Sequence, residues 1–306
     1  MDITRTSTVE DDSRLGPEGG ETLTADFNQP LYNAEYRLRP PLALYNVSIG
    51  GIASAFNDVL DSLDGVTSQR LFTDSNNIGN DKLLLEPQER LLYRLMEHWD
   101  DCTNVLQCFH KERVKGTQAY KRFNKANSVY RDHIGRVVNS LKHSQGRLRL
   151  MVAYNEIIYV PGYFVEGIDE KGVLGPHLNI HDDGTTGFSF ARDLRYHFCN
   201  LYFLSKILSD IVIDLTGNSR TPRVVGSTNE KWYRLAERIA DLPSVFYRDE
   251  RKKPVPWVEV HQESDIQSVR VSYPGPVLPV WYGPKKGKIL VVFRGDGESR
   301  TFRFPY

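Results

Sequence analysis

The chain has 306 residues, enough for one large domain or two ordinary ones with a sizeable core. Its 39 lysines and arginines equal its 39 aspartates and glutamates, so no overall charge attracts nucleic acid or an anionic membrane, and any RNA contact has to be local. Three cysteines in apolar helical patterns predict free thiols in a reducing compartment. The polar beginning of the chain and the lack of an apolar run of about eighteen residues predict a cytoplasmic protein without membrane contact.

The first half of the chain reads as a tail followed by helices. Residues 1–39 have no hydrophobic period and are rich in polar residues, which predicts a flexible N-terminal tail. Apolar residues at helical spacing predict a helix over 42–63, interrupted or delayed by Gly50-Gly51. A second helix is predicted to begin at Pro87 and reach residue 109, and a third covers 120–141. We expect these last two to pack as an antiparallel pair.

The second half mixes strands and helices. Short apolar segments separated by turn residues predict a β-meander over 148–181. Residues 189–215 have the broad apolar face of a central helix, which Thr216-Gly217 ends. A capping box from Ser227 to Glu230 opens a brief helix, and β segments with a hairpin turn at Gly295-Asp296-Gly297 complete the chain.

The predicted fold class is therefore α+β. After the tail we expect a helical bundle over residues 40–218, with the β insertion at about 148–181 inside it. A small β-rich C-terminal domain is predicted over 222–306.

The residues that stand out chemically lie at the start of the predicted central helix, in Arg192-Asp193-Leu194-Arg195-Tyr196-His197. A cation that holds a phosphate and a group that transfers a proton are the minimum for metal-free RNA cleavage. The stretch resembles the R-x4-6-H signature of the HEPN superfamily. In many members this signature marks a metal-independent ribonuclease, often toxin-like or antiviral, whose site forms across a homodimer. The resemblance implies RNA as substrate, no cofactor, His197 as general acid or base, Arg192 on the scissile phosphate and Asp193 as orienting group.

Structural interpretations of the same residues stay open. His197 falls within the apolar stripe of its helix, so we expect it to be at least partly buried, either catalytic or packed as a core histidine. Arg192 and Asp193 could instead form an electrostatic pair at the helix start, where the helix dipole favours Asp193.

Arg136, Asn139 and His143 form a second match to the same signature. At about 100° per residue they share one helix face, opposite to the apolar stripe. This placement favours a solvent-facing polar row, with a second catalytic site as the alternative.

The loop over 175–184 holds the densest cluster of metal-ligand residue types. His177, His181 and Asp182 could bind a divalent transition metal, and His181-Asp182 is similar to the HD phosphohydrolase signature. That pair belongs on a helix, whereas here a predicted turn follows it, which favours Asx-type hydrogen bonds.

Two basic runs, 248–253 and 282–288, are flanked by Trp257 and Trp281 and could bind RNA or form solvated loops. The leading functional hypothesis is thus a HEPN-like, homodimeric, metal-independent ribonuclease. The alternatives are a non-catalytic protein that docks protein partners, with His197 packed in its core, and a metal-dependent phosphohydrolase that uses the 177–183 loop.

Overall fold

The computed structural model describes residues 5–10, 16–24, 27, 29–72, 80–143, 146–181, 186–217, 228–263, 266–275, 281–282, 287–292 and 301–305. Within these residues the α+β fold class is confirmed. The α-helices are α1 (Gly19–Thr22), α2 (Pro41–Ser68), α3 (Lys82–Gln107), α4 (Gln118–His143), α5 (Phe190–Thr216) and α6 (Thr228–Ala240). The strands are β1 (Arg5–Glu10), β2 (Leu148–Tyr154), β3 (Tyr159–Ile168), β4 (Leu174–Pro176), β5 (Phe188–Ser189), β6 (Val245–Phe246), β7 (Trp257–Glu263), β8 (Ile266–Tyr273), β9 (Trp281–Tyr282) and β10 (Lys288–Val291). Short 3-10 helices cover Val114–Gly116 and Arg248–Lys252.

Antiparallel pairing assembles most of these strands into two sheets. One sheet has the order β10–β2–β3–β4, with β5 also paired to β3, and the other has the order β1–β8–β7. The predicted meander corresponds to β2, β3 and β4, with Leu148 opposite Val165 and Tyr154 opposite Tyr159. A short parallel pair, β6 with β9, forms a two-stranded sheet of its own.

Helix α5 is the central helix, as predicted, and it runs between the other helices and the sheets. Every residue from Phe190 to Ser205 is buried, so its polar side chains need partners inside the protein. The helix contacts α4, α6, β3 and β8, and it ends at Gly217, which has φ of 66°. That left-handed conformation favours glycine, which explains why the helix ends where the sequence predicted.

Two helices are longer than expected. Helix α2 runs without interruption through Gly50-Gly51 as far as Ser68. Ile49 and Ile52, on either side of the glycines, are buried, and burying one apolar face offsets the roughly 1 kcal/mol that each glycine costs in a helix. Helix α3 begins at Lys82, so Pro87 lies inside the helix and not at its start.

The described part of residues 1–39, where we expected a flexible tail, makes contacts with distant elements. Strand β1 pairs with β8 along its whole length, from Arg5 opposite Tyr273 to Glu10 opposite Ser268. The N–H of Gly19 in α1 donates to Oγ of Ser205 at 2.7 Å. Distant elements thus satisfy the backbone groups of the segment, and a search for hydrophobic periodicity does not detect such partners.

The two predicted domains share one core. Strand β10 pairs with β2 of the insertion, and Trp232 of α6 and Val258 of β7 belong to the same hydrophobic cluster as Leu194 of α5. The expected boundary at 218–222, Ser227 of the capping box and the turn at 295–297 lie outside the described residues.

The cysteines and the character of the helices can also be compared with the sequence predictions. All three cysteines, Cys102, Cys108 and Cys199, are free and buried, as the sequence predicted. None of the helices described here combines the length and the apolar character that crossing a membrane needs.

Replacing Ser205 tests the docking of the N-terminal segment. Ser205→Ala removes Oγ, which accepts the N–H of Gly19 and lies 2.5 Å from Oη of Tyr45. Both contacts are buried. We expect the free energy of unfolding in urea to fall by about 1–3 kcal/mol, because buried polar groups lose their partner. Ser54→Ala, on an exposed position of α2, is the matched control and should change it by less than about 0.5 kcal/mol. Equal effects of the two substitutions would contradict a docked segment.

Candidate functional site

Arg192 and Asp193 lie in the first turn of α5, and their side chains bond to different partners. Nη2 of Arg192 donates to the carbonyl of Pro254 at 2.6 Å, and its guanidinium carbon lies 5.9 Å from the ring centroid of Tyr196. Asp193 bonds to Gln88 and Tyr163 in the interior. The two residues therefore serve different contacts and do not act as a simple electrostatic pair at the helix start.

Asp193 is a buried carboxylate that accepts hydrogen bonds from two other elements and lies close to His197. Its Oδ2 accepts hydrogen bonds from Tyr163 Oη at 2.7 Å and from Gln88 Nε2 at 3.0 Å, and it lies 3.4 Å from His197 Nε2. Burial alone would raise the pKa of Asp193, but the contacts with His197 and Tyr163 outweigh it and hold the pKa below its ordinary value. Asp193 is therefore a carboxylate at neutral pH.

His197 is fully buried, which confirms the expected burial. It is 0% exposed, and its Nδ1 lies 3.2 Å from Tyr130 Oη of α4. Its neighbours are those of a histidine packed between two helices, and in this arrangement its ring does not reach the surface. A catalytic role for His197 stays a prediction.

A cleft of about 280 Å³ lies beside the first turn of α5. Its charged and histidine lining residues are Arg136, Arg192, Lys253, Asp193, His133 and His181, and its aromatic lining residues are Phe188, Tyr196 and Tyr273. Among the described residues, the cleft thus gathers three cationic side chains against one carboxylate. We refer to it below as the cationic cleft.

His181 lines the cleft, and the hydrogen bond of one ring nitrogen shows which nitrogen carries the proton. Its Nε2 accepts the N–H of Val165 at 2.8 Å, so the proton of the neutral ring is assigned to Nδ1. Burial lowers the pKa of His181 well below its ordinary value, so the ring is neutral. The ring is 0% exposed, and Nδ1 has no hydrogen-bond partner among the described residues.

Arg192 places a second such donor in the cationic cleft. Its Nε is buried and has no partner within the described part of the chain, although Nη2 is bonded to Pro254. A buried donor without an acceptor costs about 1–3 kcal/mol. Two of them in one cleft mark a place where the described residues do not supply the acceptors.

The other walls carry Arg136, Lys253 and His133. Arg136 donates from Nη1 to the carbonyl of Asn179 at 3.1 Å, which ties α4 to the turn that carries His181. Nζ of Lys253 lies 5.5 Å from the ring centroid of Phe188. Burial lowers the pKa of His133 to about 3, so this ring is neutral at pH 7.

The structure brings together residues from three separate sequence motifs. Arg192 and Asp193 of the first match, Arg136 of the second and His181 of the 175–184 loop all line the cationic cleft. Arg136, Asn139 and His143 are exposed, which confirms the expected polar row, and neither Asn139 nor His143 lines the cleft.

The proposed metal ligands are only partly described. Nδ1 of His177 accepts the N–H of Asn179 at 3.2 Å, and Asp182 lies outside the described residues. Among the residues that are described, no group of three or more His, Cys, Asp or Glu side chains is placed to hold a metal ion. Because Asp182 is not among them, the metal hypothesis stays a prediction.

Sequence reasoning missed several residues of the site. His133 precedes Arg136 by three positions on the same helix, so a search for neighbours on that helix face could have found it. Lys253 ends a basic run that already stood out as a candidate RNA contact. Gln88 and Tyr163 had no local signal, because each meets Asp193 only through packing.

Comparisons of the chain with protein-family models, with curated proteins and with solved structures found no match. The chemistry of the cationic cleft is therefore derived from its own geometry.

The neutral His181 makes the fold sensitive to acid. The unfolded chain binds a proton at this residue near pH 6.5, whereas the folded chain does not, so stability is lost as the pH falls below 6.5. We expect His181→Gln to reduce the loss in the free energy of unfolding by up to about 1.4 kcal/mol per pH unit between pH 6 and pH 5. Urea denaturation at several pH values measures how the free energy of unfolding changes with pH. The same pH dependence in the wild-type protein and in His181→Gln would contradict a neutral His181.

Proposed function

We propose that the cationic cleft binds a phosphate ester, and that its substrate class is the phosphodiester of RNA. The observation that carries this proposal is the pair of buried N–H donors, Arg192 Nε and His181 Nδ1, that line one cleft without acceptors in the described chain. Nε of Arg195 is also buried without a described partner, but Arg195 does not line the cleft. The significance of Arg192 therefore comes from its position beside His181 and two further cations.

A phosphate fits this arrangement better than a carboxylate does. The donors come from four segments: α4, the 177–181 turn, α5 and the residue that follows the 248–252 turn. A tetrahedral group with several oxygens accepts hydrogen bonds from several directions, whereas a carboxylate accepts them in one plane. The excess of cations also favours an anion over a neutral polar group.

The aromatic lining supports RNA as the substrate class. Tyr196 and Tyr273 line the cleft with their ring centroids 5.3 Å apart, and Phe188 lies beside Lys253. Proteins that bind single-stranded nucleic acid combine a cationic groove with aromatic side chains on which bases stack. A local cationic cleft also agrees with a chain whose overall charge is zero.

Two substitutions in the cleft test binding. Arg136→Gln removes a cation, and Arg192→Lys keeps the charge but removes the Nε–H donor. We expect the Kd for a rhodamine-labelled single-stranded RNA to rise about tenfold or more for each, because a hydrogen bond to a charged group contributes about 1.5–3 kcal/mol. Fluorescence anisotropy at constant salt measures the Kd.

Arg131→Gln is the matched control, because Arg131 is an exposed arginine of the same helix that pairs with Asp132 and does not line the cleft. It should leave the Kd within about twofold, apart from the general effect of one charge. An equal loss in this control, or no binding by the wild-type protein, would contradict the proposal.

A second candidate is HEPN-like cleavage of the RNA bound in this cleft, without a metal and by a homodimer. The position of His133 favours it, because a neutral imidazole in the cleft can accept a proton. A pKa of about 3 makes His133 a weak base at neutral pH, so cleavage takes second place to binding. In this candidate the buried His197 acts on RNA only through Asp193.

Incubation of end-labelled RNA with the protein in EDTA separates the candidates. We expect RNA to be bound and not shortened, because the lowered pKa values of His133 and His181 make both lining histidines weak bases at neutral pH. Cutting in EDTA that His133→Gln abolishes and His143→Gln retains would establish the ribonuclease. Cutting only after a divalent metal is added would favour the phosphohydrolase, and intact, unbound RNA would favour a protein-docking role.

A further inference from the structure

Glu250 is a buried acidic residue in the 3-10 turn Arg248–Lys252, and it is only 1% exposed. Its Oε1 accepts the N–H of Ser189 at 3.2 Å. Its Oε2 accepts the hydroxyl of Ser189 at 2.5 Å and the N–H of Tyr247 at 2.9 Å. One carboxylate therefore receives three hydrogen bonds from two segments of the chain.

These two segments carry two cations of the cationic cleft. Ser189 is the N-cap residue of α5, three positions before Arg192, and Glu250 lies three positions before Lys253. The N–H of Lys253 donates to the carbonyl of Glu250 at 3.0 Å. Arg192 also donates to the carbonyl of Pro254, so α5 is bonded directly to the residue that follows Lys253. The relative position of Arg192 and Lys253 thus depends on the contacts of Glu250.

We propose that Glu250 is a positioning residue of the cationic cleft: its ionised carboxylate holds the start of α5 against the 248–252 turn, and its protonation weakens anion binding. This inference rests on the proposed function, because it concerns the regulation of the same cleft. Glu250 does not line the cleft, so it acts through Arg192 and Lys253.

The effect of protonation follows from the count of donors and acceptors. An ionised carboxylate only accepts hydrogen bonds, whereas a protonated one carries an O–H donor on one oxygen. Both oxygens of Glu250 already face N–H donors, and Oε2 also faces the Ser189 hydroxyl, so a proton on either oxygen competes with a donor that is already bound there. The loss of the negative charge also weakens each remaining bond of the junction between α5 and the turn.

The groups that face Glu250 place this change near neutral pH. They are Arg192 of α5, Asp249 of the same turn, Tyr163 of β3 and Tyr247. Strand β9, which packs against the turn, has no acidic or basic residue. Burial raises the pKa of Glu250 to about 7, although Arg192 and Ser189 oppose that rise.

The expected pH profile follows from linkage. If only the ionised form binds, the affinity for RNA falls as the pH drops through 7, to about one tenth at pH 6 of its value at pH 8. A phosphodiester remains a monoanion over this range, so an RNA with hydroxyl ends does not add a titration of its own. His133 and His181 remain neutral there because their pKa values are lowered.

The experiment measures the Kd of a rhodamine-labelled single-stranded RNA at pH 6, 7 and 8 for wild-type protein, Glu250→Gln and Ser189→Ala. For Glu250→Gln we expect a Kd that is high and independent of pH, because its amide N–H₂ faces a donor at every pH. Ser189→Ala removes only the hydroxyl bond, which holds the pKa of Glu250 down, so the pH at which affinity falls should rise. If Glu250→Gln fails to fold, the pH at which the affinity of Ser189→Ala falls tests the proposal. An unchanged pH would overturn it.

Each outcome has a distinct meaning. No RNA binding by the wild-type protein at any pH overturns the proposed function itself. Binding with the same pH profile in the wild-type protein and in the variants overturns the role of Glu250 and leaves the proposed function standing. Binding that becomes tighter at pH 6, and tighter still in Glu250→Gln, makes Glu250 a counter-charge of Arg192 and also overturns the positioning role.

Discussion

Arg192, Asp193 and Arg195 are charged side chains in a buried part of α5, and the neighbouring elements are arranged to supply their partners. Asp193 takes donors from α3 and β3. Arg195 donates to the carbonyls of Ala240 at 3.0 Å and Pro243 at 3.2 Å, which holds the end of α6, and burial lowers its pKa to about 10. Because an unpartnered buried charge is costly, this helix constrains how α3, α6 and the sheets pack around it.

The cationic cleft follows from the same constraint. Asp193 accepts two hydrogen bonds inside the protein and lies 3.4 Å from His197 Nε2, whereas Arg192 has an Nε without a described acceptor and lines the cleft. The adjacent residues therefore have different surroundings: Asp193 bonds to side chains of the interior, whereas Arg192 lines the cleft. In the proposed function, these interior contacts preorganise the first turn of α5 for an anion.

Local patterns predicted the helices well and the site only in part. Helix α4 was predicted over 120–141 and observed as Gln118–His143, because a 3.6-residue apolar period is a property of the segment alone. Strand β1 was missed, since its pairing with β8 depends on a partner far along the chain. Gly50 and Gly51 do not interrupt α2, because the burial of their neighbours outweighs the low helix propensity of glycine.

The sequence by itself determined the α+β class, the central helix, the burial of His197 and the residue types from which a phosphate site can be built. Only the tertiary structure decided which of these residues meet: Arg136, His181, Arg192 and Lys253 line one cleft, while His143 stays outside it. The physical reason is that periodicity records which face of an element is buried. It does not record which distant element covers that face, and the cleft exists only where four such elements come together.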